Sequence, residues 1–251
     1  MLVMDSGLGG LSVVRALRAT RPGLPLLYLA DTAGFPYGSR DTADLTVRAS
    51  TLIAALRTNG PIVLACNTLS TLCLSALRAQ FAMPFVGTVP AIKVAAAQAQ
   101  RFTVLATPNT AHSRYTDTLI AEFAPHCVVD THPAPDLASL AERILLGEMV
   151  DPARVRAEIL PAFHDDAHGR TEAIVLGCTH YPLILDSLRA VAPWPVVWID
   201  SSDAIARRVL ALDDVPPPAS VAYVTDRADV PRYRDLFARE GFSTVESVAI
   251  G

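Results

Sequence analysis

Two cysteines in nearly repeated settings hold the chemistry this sequence could perform. "PIVLACNTLST" ends an apolar run at Cys66, and "EAIVLGCTHYP" ends another at Cys178. Residues that can hydrogen-bond follow each: Asn67 and Thr68 after the first, Thr179 and His180 after the second. Both cysteines are expected to close a buried strand and open a helix, whose positive end favours a thiolate and predicts a pKa below roughly 8.5. Two such sulfurs flanking one small molecule could swap a proton at a stereocentre. One thiolate would remove the α-hydrogen while the other, as a thiol, protonates the opposite face. Strand-end amides and the Thr and Asn side chains would steady the carbanion between these steps. The chain has a single lysine, Lys93 in "VPAIKVA", and a proton swap of this kind needs no pyridoxal lysine. No motif suggests a metal or a flavin, so the expectation is chemistry without a cofactor.

Other readings of the same residues stay open at this point. A lone cysteine at a strand end is usually inert core, and Cys73 and Cys127 read that way. A zinc site from Cys66, Cys178 and His180 is conceivable but lacks close Cys-x-x-Cys spacing. A Cys–His hydrolase would use one cysteine and leave the other idle. In "DSGLGGLS", Gly7, Gly9 and Gly10 begin like a dinucleotide fingerprint, with Asp31 suitably placed for a ribose, but Ser12 stands where the third glycine belongs. Alternatively the loop presents backbone N–H groups to a carboxylate, with Asp5 and Ser6 projecting into a cleft, or it is only a turn. "DTAGFPYGSRD" reads as a loop in which Pro36, Tyr37 and Gly38 expose N–H groups and a phenol together, or as an ordinary turn.

The elements that must position these residues alternate along the chain. Short apolar runs ("LVMD", "LLYLAD", "PIVLAC", "PFVGTV", "FTVLAT", "AIVLGC", "PVVWID", "VAYVTD") are separated by segments such as "LSVVRALRAT" and "SDAIARRVLAL" with helical spacing. Continuous apolarity suits parallel strands covered on both faces, and the alternation predicts a doubly wound α/β fold. In such sheets ligands sit beyond the carboxyl ends of strands. The runs end in Asp5, Asp31, Cys66, Thr88, Thr107, Cys178 and Asp200. Capping accounts for Ser201 or Asp203 but not for two cysteines. A proline-led strand follows each cysteine at nearly the same distance, starting at Pro84 and Pro195, and "LVMDSGLGG" has a counterpart in "FTVLATPNT". We therefore expect two similar α/β halves related by a pseudo-twofold, with a shared cleft between them. The expected division is 1–90 plus 205–251 for the first domain and 91–204 for the second, the tail returning to the first.

Bulk properties narrow the classes. The 251 residues are 51% hydrophobic with a formal charge of −4, and no basic cluster is present to neutralise phosphates, which argues against a nucleic-acid role. The longest uncharged stretch, Thr58 to Leu77, contains Pro61, Asn67, Thr68, Ser70 and Thr71 and is a poor membrane span. No export signal is recognised at the start, so four cysteines suggest reduced thiols in a cytoplasmic protein.

"DSGLGGLSV", "DTAGFPYGSRD", "ACNTLS", "GTVPAIK", "LATPNT", "GCTHYPLI" and "IDSS", in that order, resemble the glutamate racemases of bacterial cell-wall synthesis. The resemblance runs from residue 5 to about 202. It implies two α/β domains with the active site between them, usually in homodimers, and cofactor-independent conversion of L- to D-glutamate for peptidoglycan. By motif, Cys178 would act as base on L-glutamate and Cys66 on D-glutamate, with Asp5 assisting near Cys66 and His180 near Cys178. Ser6, Pro36, Tyr37, Gly38, Asn67, Thr68 and Thr179 match positions that hold substrate. Thr107 and Thr110 match second-half residues near it. One segment departs: "THPAPDLASLAE" has His132-Pro133 where the family commonly has Cys-Pro, and Glu142 falls two places late for a gap-free match. Glu142 is therefore left outside the expected site. The alternatives are a racemase for aspartate or another small acidic amino acid, and a non-catalytic ligand-binding protein on the same fold.

Overall fold

The computed structural model describes residues 1–212 and 216–249; residues 213–215 and 250–251 of the expected first domain lie outside them. Two parallel sheets organise the chain. The strands are β1 (Leu2–Asp5), β2 (Leu27–Ala30), β3 (Ile62–Leu64), β4 (Phe85–Gly87), β5 (Arg101–Ala106), β6 (Val128–Pro133), a small hairpin β7 (Asp165–Asp166) and β8 (Gly169–Arg170), then β9 (Ala173–Gly177), β10 (Val197–Ile199), β11 (Val221–Val224) and β12 (Thr244–Ser247). The first sheet runs β12-β11-β2-β1-β3-β4 and the second β6-β5-β9-β10, every pairing in both being parallel. The spatial order 2-1-3-4 of the first four strands is thus repeated by the four of the second sheet. β3 and β9 occupy equivalent places, so the residues just past them, Cys66 and Cys178, are counterparts. So are Asp5, the last residue of β1, and Thr107, just past β5. The architecture is the expected α/β one, with two doubly wound parallel sheets.

The helices are α1 (Leu11–Thr20), α2 (Thr42–Leu56), α3 (Asn67–Gln80), α4 (Ile92–Ala96), α5 (Pro108–Ala111), α6 (Arg114–Phe123), α7 (Leu137–Leu145), α8 (Pro152–Ile159), α9 (Leu185–Val191), α10 (Ser202–Leu210) and α11 (Val230–Arg239). Their starts follow local chemistry. The Asp41 carboxylate accepts from the Ala43 amide at 2.8 Å to cap α2, Ser113 caps α6, and Asp151 precedes Pro152 at the head of α8.

Alternation along the strands divides the core into layers. In the first sheet Val3, Tyr28 and Val63 face α1, α10 and α11, while Leu2, Met4, Leu29, Ile62 and Leu64 face α2 and α3. In the second, Leu105, Ile174 and Leu176 face α7 to α9, while Phe102, Val104 and Val175 face Ile92, Ala95 and α6. Each fully buried Leu, Ile or Val side chain contributes about 1.5–3 kcal/mol by leaving water. Ile92 therefore packs with the second sheet, and Ile205 and Val209 with the first. No helix among the described residues is long and apolar enough to cross a membrane.

Besides the small β7–β8 hairpin, two strands of the parallel sheets had no apolar run to announce them. β6 carries Asp130, Thr131 and His132, and β12 is largely exposed. Both are edge strands, which need an apolar face on fewer sides.

Candidate active site

Where the carboxyl ends of the two sheets meet lies a narrow, tightly closed cavity of about 10 Å³. The first half lines it with Ser6, Phe35, Pro36, Tyr37, Gly38, Cys66, Asn67 and Thr68, the second with Thr107, Ala138, Cys178, Thr179 and His180. Both cysteines border this one space, are 6% exposed and are free thiols. Eleven residues expected from sequence are thereby brought together. The other two, Asp5 and Thr110, stand one contact behind the wall. The Asp5 carboxylate accepts from the Thr179 hydroxyl at 2.9 Å and from the Gly7 amide at 2.8 Å. The Thr110 hydroxyl lies 3.1 Å from that of Thr107 and 3.3 Å from that of Thr68. Phe35 and Ala138 line the cavity without having been expected. As apolar residues, they carried no chemical signal.

The glycine-rich loop after β1 is shaped by what it approaches. The Gly9 amide lies 3.1 Å from His180 Nε2, and a Cβ on Gly9 would stand 2.6 Å from Thr179 Oγ1. A Cβ on Gly7 would stand 2.9 Å from both carboxylate oxygens of Glu142. The glycines let one half's backbone touch the other half's polar side chains. The dinucleotide reading loses its second element here: Asp31 is fully buried and already bonded to Tyr37, to Arg48 and, at 2.6 Å, to the Thr225 hydroxyl. The turn at Pro36 is likewise corrected. Tyr37 borders the cavity, but its phenol is not free, since it donates to Asp31. Arg48→Ala would leave Asp31 buried without its cation, and the expected loss is about 3 kcal/mol in urea unfolding.

Glu142 belongs to the site after all. From α7 its Oε2 meets His180 Nε2 at 2.7 Å and accepts from the Leu8 amide at 3.1 Å. His180 Nδ1 in turn faces Cys178 Sγ at 3.8 Å. Burial opposes a charge on His180, but the contacts with Cys178, Glu142 and Asp5 outweigh it and push the imidazole pKa well above its ordinary value.

Two expectations about the cysteines need correction. Cys66 does precede an α-helix, α3, but burial, with the Asp5 charge adding to it, pushes its thiol well above the usual value despite amide contacts from Leu69 and Thr68. Desolvation of an anion here outweighs the helix dipole. Cys178 does not open an α-helix: a turn and a 3₁₀ segment over Tyr181–Ile184 come first, so its electrostatic partner is His180. Among the described residues, no three His, Cys, Asp or Glu side chains converge so as to hold a metal ion. Asn67 Nδ2 is buried at the cavity wall with no hydrogen-bond partner among the described residues, a donor available to a ligand.

Comparison with known proteins places the whole chain. The family model described as Asp/Glu/Hydantoin racemase matches residues 11–209. A glutamate racemase of Brucella canis is 42% identical over 96% of this chain and 91% of its own length. The Escherichia coli glutamate racemase solved with L-glutamate and the activator UDP-MurNAc-ala superposes with a TM-score of 0.91 at 35% identity, covering 100% of this chain and 98% of that one. The Thermus thermophilus glutamate racemase solved with beta-chloro-D-alanine gives a TM-score of 0.74 at 29% identity, covering 99% and 96%.

Proposed function

The chain belongs to the Asp/Glu/Hydantoin racemase family, and from that premise we propose that it is a glutamate racemase whose two bases are Cys66 and Cys178. The observation that carries this reading is the pairing of the two equivalent strand-end cysteines on one small enclosed cavity. With L-glutamate bound, a Cys178 thiolate takes the α-proton. The electron pair of the broken C–H bond passes to the α-carbon and its carboxylate, and the Cys66 thiol delivers its proton to the other face. The product is D-glutamate, with Cys178 now a thiol and Cys66 a thiolate; a turnover from the D side reverses the roles. A thiol at Cys66 in the resting enzyme suits a proton donor, and its raised pKa supports that assignment. His180 offsets the sulfur charge at Cys178. Asn67 and the Thr68–Thr107–Thr110 hydroxyl cluster supply donors for substrate carboxylates, and Asp5 orients Thr179.

The domain division at about residues 90 and 205, a homodimeric assembly, a cytoplasmic location and a supply of D-glutamate to peptidoglycan complete the proposal. The test is circular-dichroism turnover with L-glutamate and L-aspartate side by side, without added cofactor. L-glutamate alone should racemise; turnover of aspartate only would reject the substrate, and turnover of neither would reject the reading.

A further inference from the structure

The last helix of the chain reaches this site through one hydroxyl. Tyr233 of α11 is buried, and its phenol donates to Glu142 Oε1 at 2.8 Å. The other oxygen of Glu142 meets His180 Nε2 at 2.7 Å, and His180 faces Cys178. Tyr233 itself is not part of the cavity wall. We propose that Tyr233 is a positioning residue for the racemase reaction, its hydroxyl keeping the Glu142 carboxylate aimed at His180, which faces Cys178. The kinetic half of this inference rests on the reading of the site as a racemase; the structural half does not.

The physical reason is the cost of leaving a buried carboxylate oxygen without a donor. Hydrogen bonds to charged groups are among the strongest in proteins, and Tyr233 is the side-chain donor on Oε1. Burial, with Glu142 beside it, raises the Tyr233 pKa, so the phenol remains a donor. Without it Oε1 is left buried with no side-chain donor among the described residues, and the carboxylate is free to turn away from His180. His180 then loses a contact that raises its pKa. Asp5 also favours a charge on His180 but has no contact with Oε1 and does not replace the missing donor. The helix has independent anchors. Arg232 pairs with Glu148 at 2.6 Å, and the Tyr233 ring stacks on Phe237 at 6.2 Å between centroids, so phenylalanine keeps the packing.

The experiment compares wild type, Tyr233→Phe and Arg232→Ala, each labelled with 15N-histidine. In wild type at neutral pH the His180 Nε2 signal should be of the protonated type, and Tyr233→Phe should move it toward the unprotonated type. The same variant should lose about tenfold in kcat for L-glutamate with KM within about twofold. Arg232→Ala should leave the His180 signal in place. An unchanged signal in Tyr233→Phe, an equal shift in Arg232→Ala, or a raised KM at unchanged kcat would overturn the assignment. Should Tyr233→Phe fail to fold, the wild-type hydroxyl proton of Tyr233 decides: slow solvent exchange is expected, and fast exchange contradicts it. A wild type with no glutamate turnover would defeat the racemase reading alone, because the imidazole signal still reports on Tyr233.

Discussion

Cys66→Ala and Cys178→Ala are each expected to lower racemisation of glutamate at least about a thousandfold, at the upper part of the range for loss of one general acid or base. A racemase must break a C–H bond on one face and make one on the other, so deleting either sulfur blocks both directions. The two variants should nevertheless differ. Cys66→Ala keeps Cys178 and should still exchange the α-hydrogen of L-glutamate with deuterium from solvent. Cys178→Ala keeps Cys66 and should exchange only D-glutamate. The lesions are small in volume, and both side chains border a cavity, so the fold should persist. Proton NMR of the α-hydrogen reads exchange and inversion together. Near wild-type inversion in either variant would end the two-base assignment.

The second large effect is expected at a residue with no side chain at all. Gly9 sits where the loop after β1 presses on the opposite half, and its missing Cβ is the space that Thr179 Oγ1 and the His180 ring occupy. Gly9→Ala forces the loop and the Thr179–His180 turn apart. That turn carries three contacts at once: Thr179 to Asp5, His180 to Glu142 and His180 to Cys178. Overpacking of this sort costs about 1–3 kcal/mol of stability. The greater damage is to position, since a displacement near 1 Å at a catalytic group can cost about a hundredfold. We expect kcat/KM to fall by about that factor while thermal unfolding stays cooperative. A variant retaining a third or more of wild-type kcat/KM would show that the close approach is incidental.

Much of this arrangement was legible in the residues, and the parts that were not have physical causes. Internal strands β1, β3, β5 and β9 announced themselves because they are buried on both faces, whereas edge strands β6 and β12 carry polar residues and did not. The cysteine pair was visible because the same strand-then-thiol phrase occurs at equivalent places in two similar halves. Glu142 was weighed and set aside because it stands two places late in a gap-free match. Its helix nonetheless brings the carboxylate to His180. Tyr233 had no motif, being one aromatic among the apolar positions of a terminal helix. Tyr37 was read for the wrong feature, since only contact with Asp31 reveals where its phenol points. The raised Cys66 pKa followed from burial depth, a three-dimensional quantity that spacing does not encode.

The most direct measurement is the first turnover of wild-type enzyme on L-glutamate in D2O. With separate sulfurs on the two faces, the D-glutamate formed should carry deuterium at the α-carbon from the outset while unreacted L-glutamate keeps its protium. Product retaining the original protium, or deuterium entering both enantiomers equally at early times, would contradict proton transfer between Cys178 and Cys66.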